Sequence, residues 1–200
     1  HVVLLGDSIF DNGSYVPGEP DVVRQLRALL PAGWQASLLA VDGAVTSGVE
    51  RQLARLPADA THLVVSVGGN DALGESHLFA RSCRNVGEGV ALLAEAQAAF
   101  AARYRAMAAQ VFGRGLPVAL CTIYDANYAP PQGFVVTAAL SLFNDVITRT
   151  AFGQGLTLID LRLICSEPAD YANPIEPSSR GGAKIAAAIA AFAAGTGKGS

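Results

Sequence analysis

Two hundred residues, 51% apolar and 16% charged, can bury one good core, and that balance excludes an intrinsically disordered polypeptide. A formal net charge of −3 gives no footing for nucleic acid or an anionic membrane surface as partner. No apolar run reaches the roughly 18 residues that a membrane span requires.

Five short apolar runs rich in β-branched residues, at 2–5, 37–41, 62–67, 117–121 and 156–160, predict strands. They lack strict alternation, as a parallel sheet covered on both faces demands. Helical patterns follow each, at 22–30, 47–56, 86–112, 134–152 and 179–194. Strand and helix alternating in this way predict right-handed crossovers and a three-layer α/β/α sandwich around a five-stranded parallel sheet. No linker or repeat interrupts the pattern, so residues 1–194 are expected to form a single domain, with 195–200 a flexible tail. Three widely spaced cysteines, Cys83, Cys121 and Cys165, suit buried apolar roles in a reducing compartment. Residues 1–6 run straight into the first strand with no signal peptide visible. The expectation is a cytoplasmic location, with a leader trimmed along with the initiator methionine left open.

In such folds ligands bind beyond the carboxyl ends of the strands. Gly6-Asp7-Ser8 follows the first run, Asp42-Gly43-Ala44 the second, and Gly68-Gly69-Asn70-Asp71 the third. Tyr124-Asp125-Ala126-Asn127 follows the fourth. Alone, each is an ordinary turn or cap sequence; in order along one sheet edge they describe a site. A serine exposed by a Gly-Asp turn can accept an acyl group if a base removes its proton. Backbone N–H groups of Ser8 and Gly43, with the uncharged amide of Asn70, could converge on the oxyanion of a tetrahedral intermediate. No metal-ligand spacing such as His-Glu-x-x-His or Cys-x-x-Cys occurs.

Gly6-Asp7-Ser8, Gly43 and Gly69-Asn70-Asp71 resemble the first three sequence blocks of the SGNH, or GDSL, hydrolases, and the resemblance extends over almost the whole chain. It implies a flavodoxin-like strand order 2-1-3-4-5, no cofactor, and hydrolysis of short-acyl or acetyl esters, a small-molecule ester being the partner. By residue matching it makes Ser8 the nucleophile and first oxyanion donor, Gly43 the second and Asn70 the third. The Gly-x-Ser-x-Gly elbow of the α/β-hydrolases is absent.

The family's last block, Asp-x-x-His before the final helix, here reads Asn173-Pro174-Ile175-Glu176. Register through Gly181-Gly182 puts Asn173 at the Asp position and Glu176 at the His position. The pair of changes is self-consistent: an aspartate beside a glutamate base would repel it, whereas Asn173 can donate a hydrogen bond to Glu176. Glu176 is thus the expected base, the alternative being a cap or salt link on the last helix. His77, seven residues past Asn70, is the alternative base, with Asp125 and Asp11 behind it. His62, at the start of a strand, should lie at the far end of the sheet. An acyltransferase with the same nucleophile, or a non-catalytic binding module, are the competing functions.

Overall fold

Successive side chains of a strand point to opposite faces of its sheet. In the computed structural model, which describes residues 1–196, β1 (Val2–Gly6) sends Val2 and Leu4 into one core and Val3 and Leu5 into another. β2 (Ala36–Leu38) lies beside it. β3 (His62–Ser66) parts Val64 from Leu63 and Val65 in the same way, and β4 (Val118–Cys121) parts Ala119 and Cys121 from Val118 and Leu120. With β5 (Thr157–Ile159) these strands form a parallel sheet in the order β2-β1-β3-β4-β5, the predicted architecture. Two-sided burial explains why the runs do not alternate.

Helix α1 (Val22–Leu29) covers one face through Val22, Val23 and Leu26. The other face is covered by α2 (Val49–Leu53), α4 (Val86–Phe112) and α5 (Gln132–Gly153). At the end of the chain α7 (Ser179–Thr196) joins α1 on the first face through Ile185 and Ile189. Between these lie three elements that periodicity did not predict. They are α3 (Gly69–Gly74), α6 (Leu161–Ile164) and a hairpin in which β6 (Tyr171–Asn173) pairs antiparallel with β7 (Glu176–Pro177). The two helices and the two strands of the hairpin are each two to six residues long, too short for a helical or strand period to register.

The second strand ends three residues earlier than its apolar run, because the N–H groups of Leu39 and Ala40 both donate to Leu4 O and the ladder loses its one-to-one register. The helix expected at 47–56 is shortened, beginning with a 3-10 turn at Thr46–Gly48 and ending α-helical structure at Leu53. α7 continues to Thr196, so Gly195 and Thr196 belong to a helix rather than to the expected tail, and 197–200 lie outside the described residues. Cys121 and Cys165 are buried as expected, but Cys83 is exposed. No helix among the described residues is long and apolar enough to cross a membrane.

Candidate active site

The turn that carries Ser8 begins with a glycine that nothing can replace. Gly6 closes β1 at φ +127°, where a Cβ would stand 1.7 Å from Ser66 O of the neighbouring strand. Asp7 N–H then donates to Ser66 O at 3.0 Å, and the N–H groups of Phe10 and Asp11 return to Asp7 O. Ser8 sits in this turn, not on a helix, and is 6% exposed. Among the described residues no backbone hydrogen bond uses the N–H of Ser8 or of Gly43.

Asn70 lies in the first turn of α3, its Nδ2 donating to Ala44 O at 3.0 Å. One amide hydrogen of the NH2 group is thereby used, and the other is left to donate. Asp71 anchors the same loop: Oδ2 accepts from both N–H and Oγ1 of Thr46, at 2.8 and 2.9 Å. Gly43, exposed at φ +76°, stands beside Ala44 in this tethered turn but does not itself line the cavity described below.

Glu176 reaches Ser8 from the β6–β7 hairpin. Ser8 Oγ donates to Glu176 Oε1 at 3.0 Å, while the buried Oε2 has no hydrogen-bond partner among the described residues. The hairpin is held by Asn12, whose Nδ2 donates to Pro177 O and whose Oδ1 accepts from Val22 N–H. Tyr124 O–H, donating to Ile175 O at 2.6 Å, holds it from the other side. Asn173 does not do what its position suggested. Although it pairs in register with Glu176, its Oδ1 accepts from Ile175 N–H at 2.9 Å, closing the turn of its own hairpin. An Asx side chain finds a backbone donor two residues on more readily than a group across the strand.

Burial pushes Glu176 up to about 7; the bond from Ser8 opposes this and the charge of Asp42 adds to it. Burial also pushes Asp7 up to about 8 against the bond from Ile9 N–H, with Glu176 and Asp71 contributing repulsion. Both carboxyls are thus held well above the ordinary carboxylate range. A carboxyl that titrates near neutrality is far better matched to proton abstraction at that pH than one near its ordinary value.

The other candidate bases lie elsewhere. His77 is exposed on the 3-10 turn Ser76–Ala80, its Nδ1 against Gly74 O, and it does not line the cavity. Asp11 Oδ2 accepts from Asp42 N–H, and Asp125 offers its carbonyl to Tyr171 O–H. His62 is buried among Trp34, Phe192 and Thr61 at the amino end of β3, as expected.

Two amides that the sequence reading passed over extend the sheet at this edge. Gln52 of α2 accepts from Gly6 N–H at 2.7 Å and donates to Gly6 O at 2.8 Å. Asn144 of α5 does the same with Ile123, both bonds at 2.8 Å. Each acts as a missing strand would. The available signal was a polar residue on an apolar helix face: Gln52 beside Val49 and Leu53, and Asn144 among Leu140, Phe143 and Ile147.

Ser8, Asn70 and Glu176 open into a cavity of about 490 Å³ that runs on between α4 and α5. Its size falls in the range of roughly 300–1,000 Å³ typical of small-molecule sites.

Residues 4–184 match the model of the GDSL-like lipase/acylhydrolase family. Among solved structures, a lipase from a goat rumen metagenome is similar at 20% identity and a TM-score of 0.69, with 96% of each chain covered. An extracellular lipase from Streptomyces rimosus is similar at 17% and 0.65, covering 97% of this chain and 98% of that one. A carbohydrate acetylesterase from Sinorhizobium meliloti gives 13% and 0.67, with 98% of each chain covered. At such identities the likeness establishes the fold. No curated protein matches the sequence.

Proposed function

The chain belongs to the GDSL-like lipase/acylhydrolase family and is an ester-hydrolysing enzyme, and from that premise we propose that Ser8 is its nucleophile and Glu176 its general base. The observation that carries this reading is the 3.0 Å hydrogen bond from Ser8 Oγ to a buried carboxylate. As Ser8 Oγ attacks the ester carbonyl, its proton passes to Glu176. The N–H groups of Ser8 and Gly43 and the free amide hydrogen of Asn70 receive the oxyanion. Collapse of the tetrahedral intermediate expels the alcohol, which takes the proton from Glu176, and leaves an acyl-Ser8 ester. Water then attacks with Glu176 again as base, releasing the acid and restoring the serine.

Asp42, exposed and bound by the Tyr15 hydroxyl, is near enough for its charge to act on Glu176, and we take the alcohol to leave on this solvent-facing side. Asn173 acts at one remove, by shaping the hairpin turn that presents Glu176. Ser8→Ala should abolish ester hydrolysis while the far-ultraviolet circular dichroism spectrum is preserved. A fluorophosphonate probe should label Ser8 alone; labelling at another serine, or unchanged turnover in Ser8→Ala, removes the assignment.

A further inference from the structure

The cavity beside Ser8 is divided chemically. Ser8, Asn70 and Glu176 with Asp7 line it at the sheet edge, and Glu75, Ser76, Tyr128 and Gln132 add further polar residues to the lining. Between α4 and α5 the lining is apolar, formed by Leu93, Ala96, Val136, Ala139, Leu140 and Phe143. None of the residues lining it is Lys, Arg or His. A sugar placed among those six side chains would lose its hydroxyl hydrogen bonds to water and find no replacement from them, Gln132 at the start of α5 being the polar residue that this helix adds to the lining. An anion would find no counter-charge. About 150 Å³ accommodates a benzene molecule. The 490 Å³ here is roughly three times that and far exceeds an acetyl group.

We propose that the cleft between α4 and α5 is an acyl-chain site, which makes the preferred substrate a neutral ester of a linear, medium-chain fatty acid. This replaces the expectation of a short acyl or acetyl group and rests on the reading of Ser8 as nucleophile. The acyl carbon lies at Ser8 and the alkyl chain runs inward past Ile123 towards Ala96 and Phe143, while the alcohol faces Asp42 and water. Each methylene taken from water into this lining strengthens productive binding, and the gain continues until the chain reaches the mouth. There Leu73, Phe79 and Val135 are 47%, 48% and 50% exposed and offer only partial cover.

A series of p-nitrophenyl esters from acetate to decanoate tests this. We expect kcat/KM to rise about three- to fourfold per methylene over the first additions and then level off. Ala139→Trp, at a half-buried position on α5, fills the cleft and should lower the octanoate-to-acetate ratio of kcat/KM by about 100-fold. Ala96→Phe, on α4, should shift the same ratio in the same direction. Binding of 1-octanol, followed by calorimetry with ethanol as the short control, gives a readout independent of turnover. Acetate hydrolysed as well as octanoate, with no octanol binding, overturns the acyl site and leaves the nucleophile standing. Octanol binding that Ala139→Trp removes, in a protein inert to every ester, upholds the cleft and overturns the nucleophile. A length preference that neither Ala139→Trp nor Ala96→Phe alters places the chain elsewhere and overturns the proposal.

Discussion

As the proposed general base, Glu176 would have to be both buried and ionised, and these requirements oppose one another. Burial raises its pKa to about 7, so the acid limb of the kcat/KM profile should have its midpoint there rather than near the ordinary carboxyl value. Glu176→Gln keeps the size of the side chain but cannot take a proton, and should lower kcat by about 100- to 10,000-fold, the usual share of a general base. Initial rates of both proteins across neutral pH check this; a midpoint below about 5 in the wild type would remove burial as the tuning force. As the proposed oxyanion donor, Asn70 would act on a different charge. Its free hydrogen has no strong acceptor until the oxyanion forms, so Asn70→Ala should lower kcat by roughly 100- to 1,000-fold with a small change in KM. A loss confined to KM would make Asn70 a substrate-positioning group instead.

Elements matter here by how they hold one another at the sheet edge. β1 stops at Gly6, whose O accepts from Val41 N–H just beyond β2, and α2 supplies the N–H with an acceptor and the O with a second donor through Gln52. Gln52→Leu keeps the bulk but leaves the buried Gly6 N–H without its acceptor and Gly6 O with Val41 N–H alone. The cost should be about 1–3 kcal/mol of stability, read as a lower midpoint in urea unfolding at unchanged slope. Because Gly6 precedes Asp7 and Ser8, the same variant should lower kcat more than it raises KM. An unshifted midpoint would mean that water takes the place of the amide. The hairpin shows the opposite case, an element with little intrinsic preference of its own. Strands of three and two residues are far below independent stability, and β6–β7 stands where it does because Asn12, Tyr124 and the Asn173 turn hold it.

Across the molecule, the site's requirements set the pH dependence of folding. Glu176 at about 7 and Asp7 at about 8 both lie above their unfolded values of 4.5 and 3.8. As pH rises from about 4 to 8 the unfolded chain releases these protons before the folded one, so stability falls through that window. Below it, Asp160, held low first by its hydrogen bond from Arg162, withdraws its contribution on protonation. The melting temperature should peak near about pH 5 and drop by on the order of 5–10 °C by about pH 8, where activity is approaching its maximum. Glu176→Gln with Asp7→Asn should flatten the alkaline side, and scanning calorimetry of both proteins decides it. A wild type equally stable at both pH values would mean that these carboxyls are relieved by groups other than those named.

How much of this was legible beforehand follows the range of the interactions. Two-sided apolar runs and helical periods are local consequences of burial, so the sheet, its covering helices and the turns bearing Ser8, Gly43 and Asn70 could be read from the chain. Glu176 was found only by counting back from Gly181-Gly182 against the family's spacing; nothing local distinguishes it from a helix cap. Tertiary structure alone decided that Asn173 serves its own turn, that Gln52 and Asn144 complete the sheet edge, and that an apolar cleft opens beside Ser8. A side chain's partner depends on which backbone groups the fold leaves unpaired within about 3 Å of it. A cleft depends on where two helices fail to fill the space between them. Neither quantity is carried by any single segment of sequence.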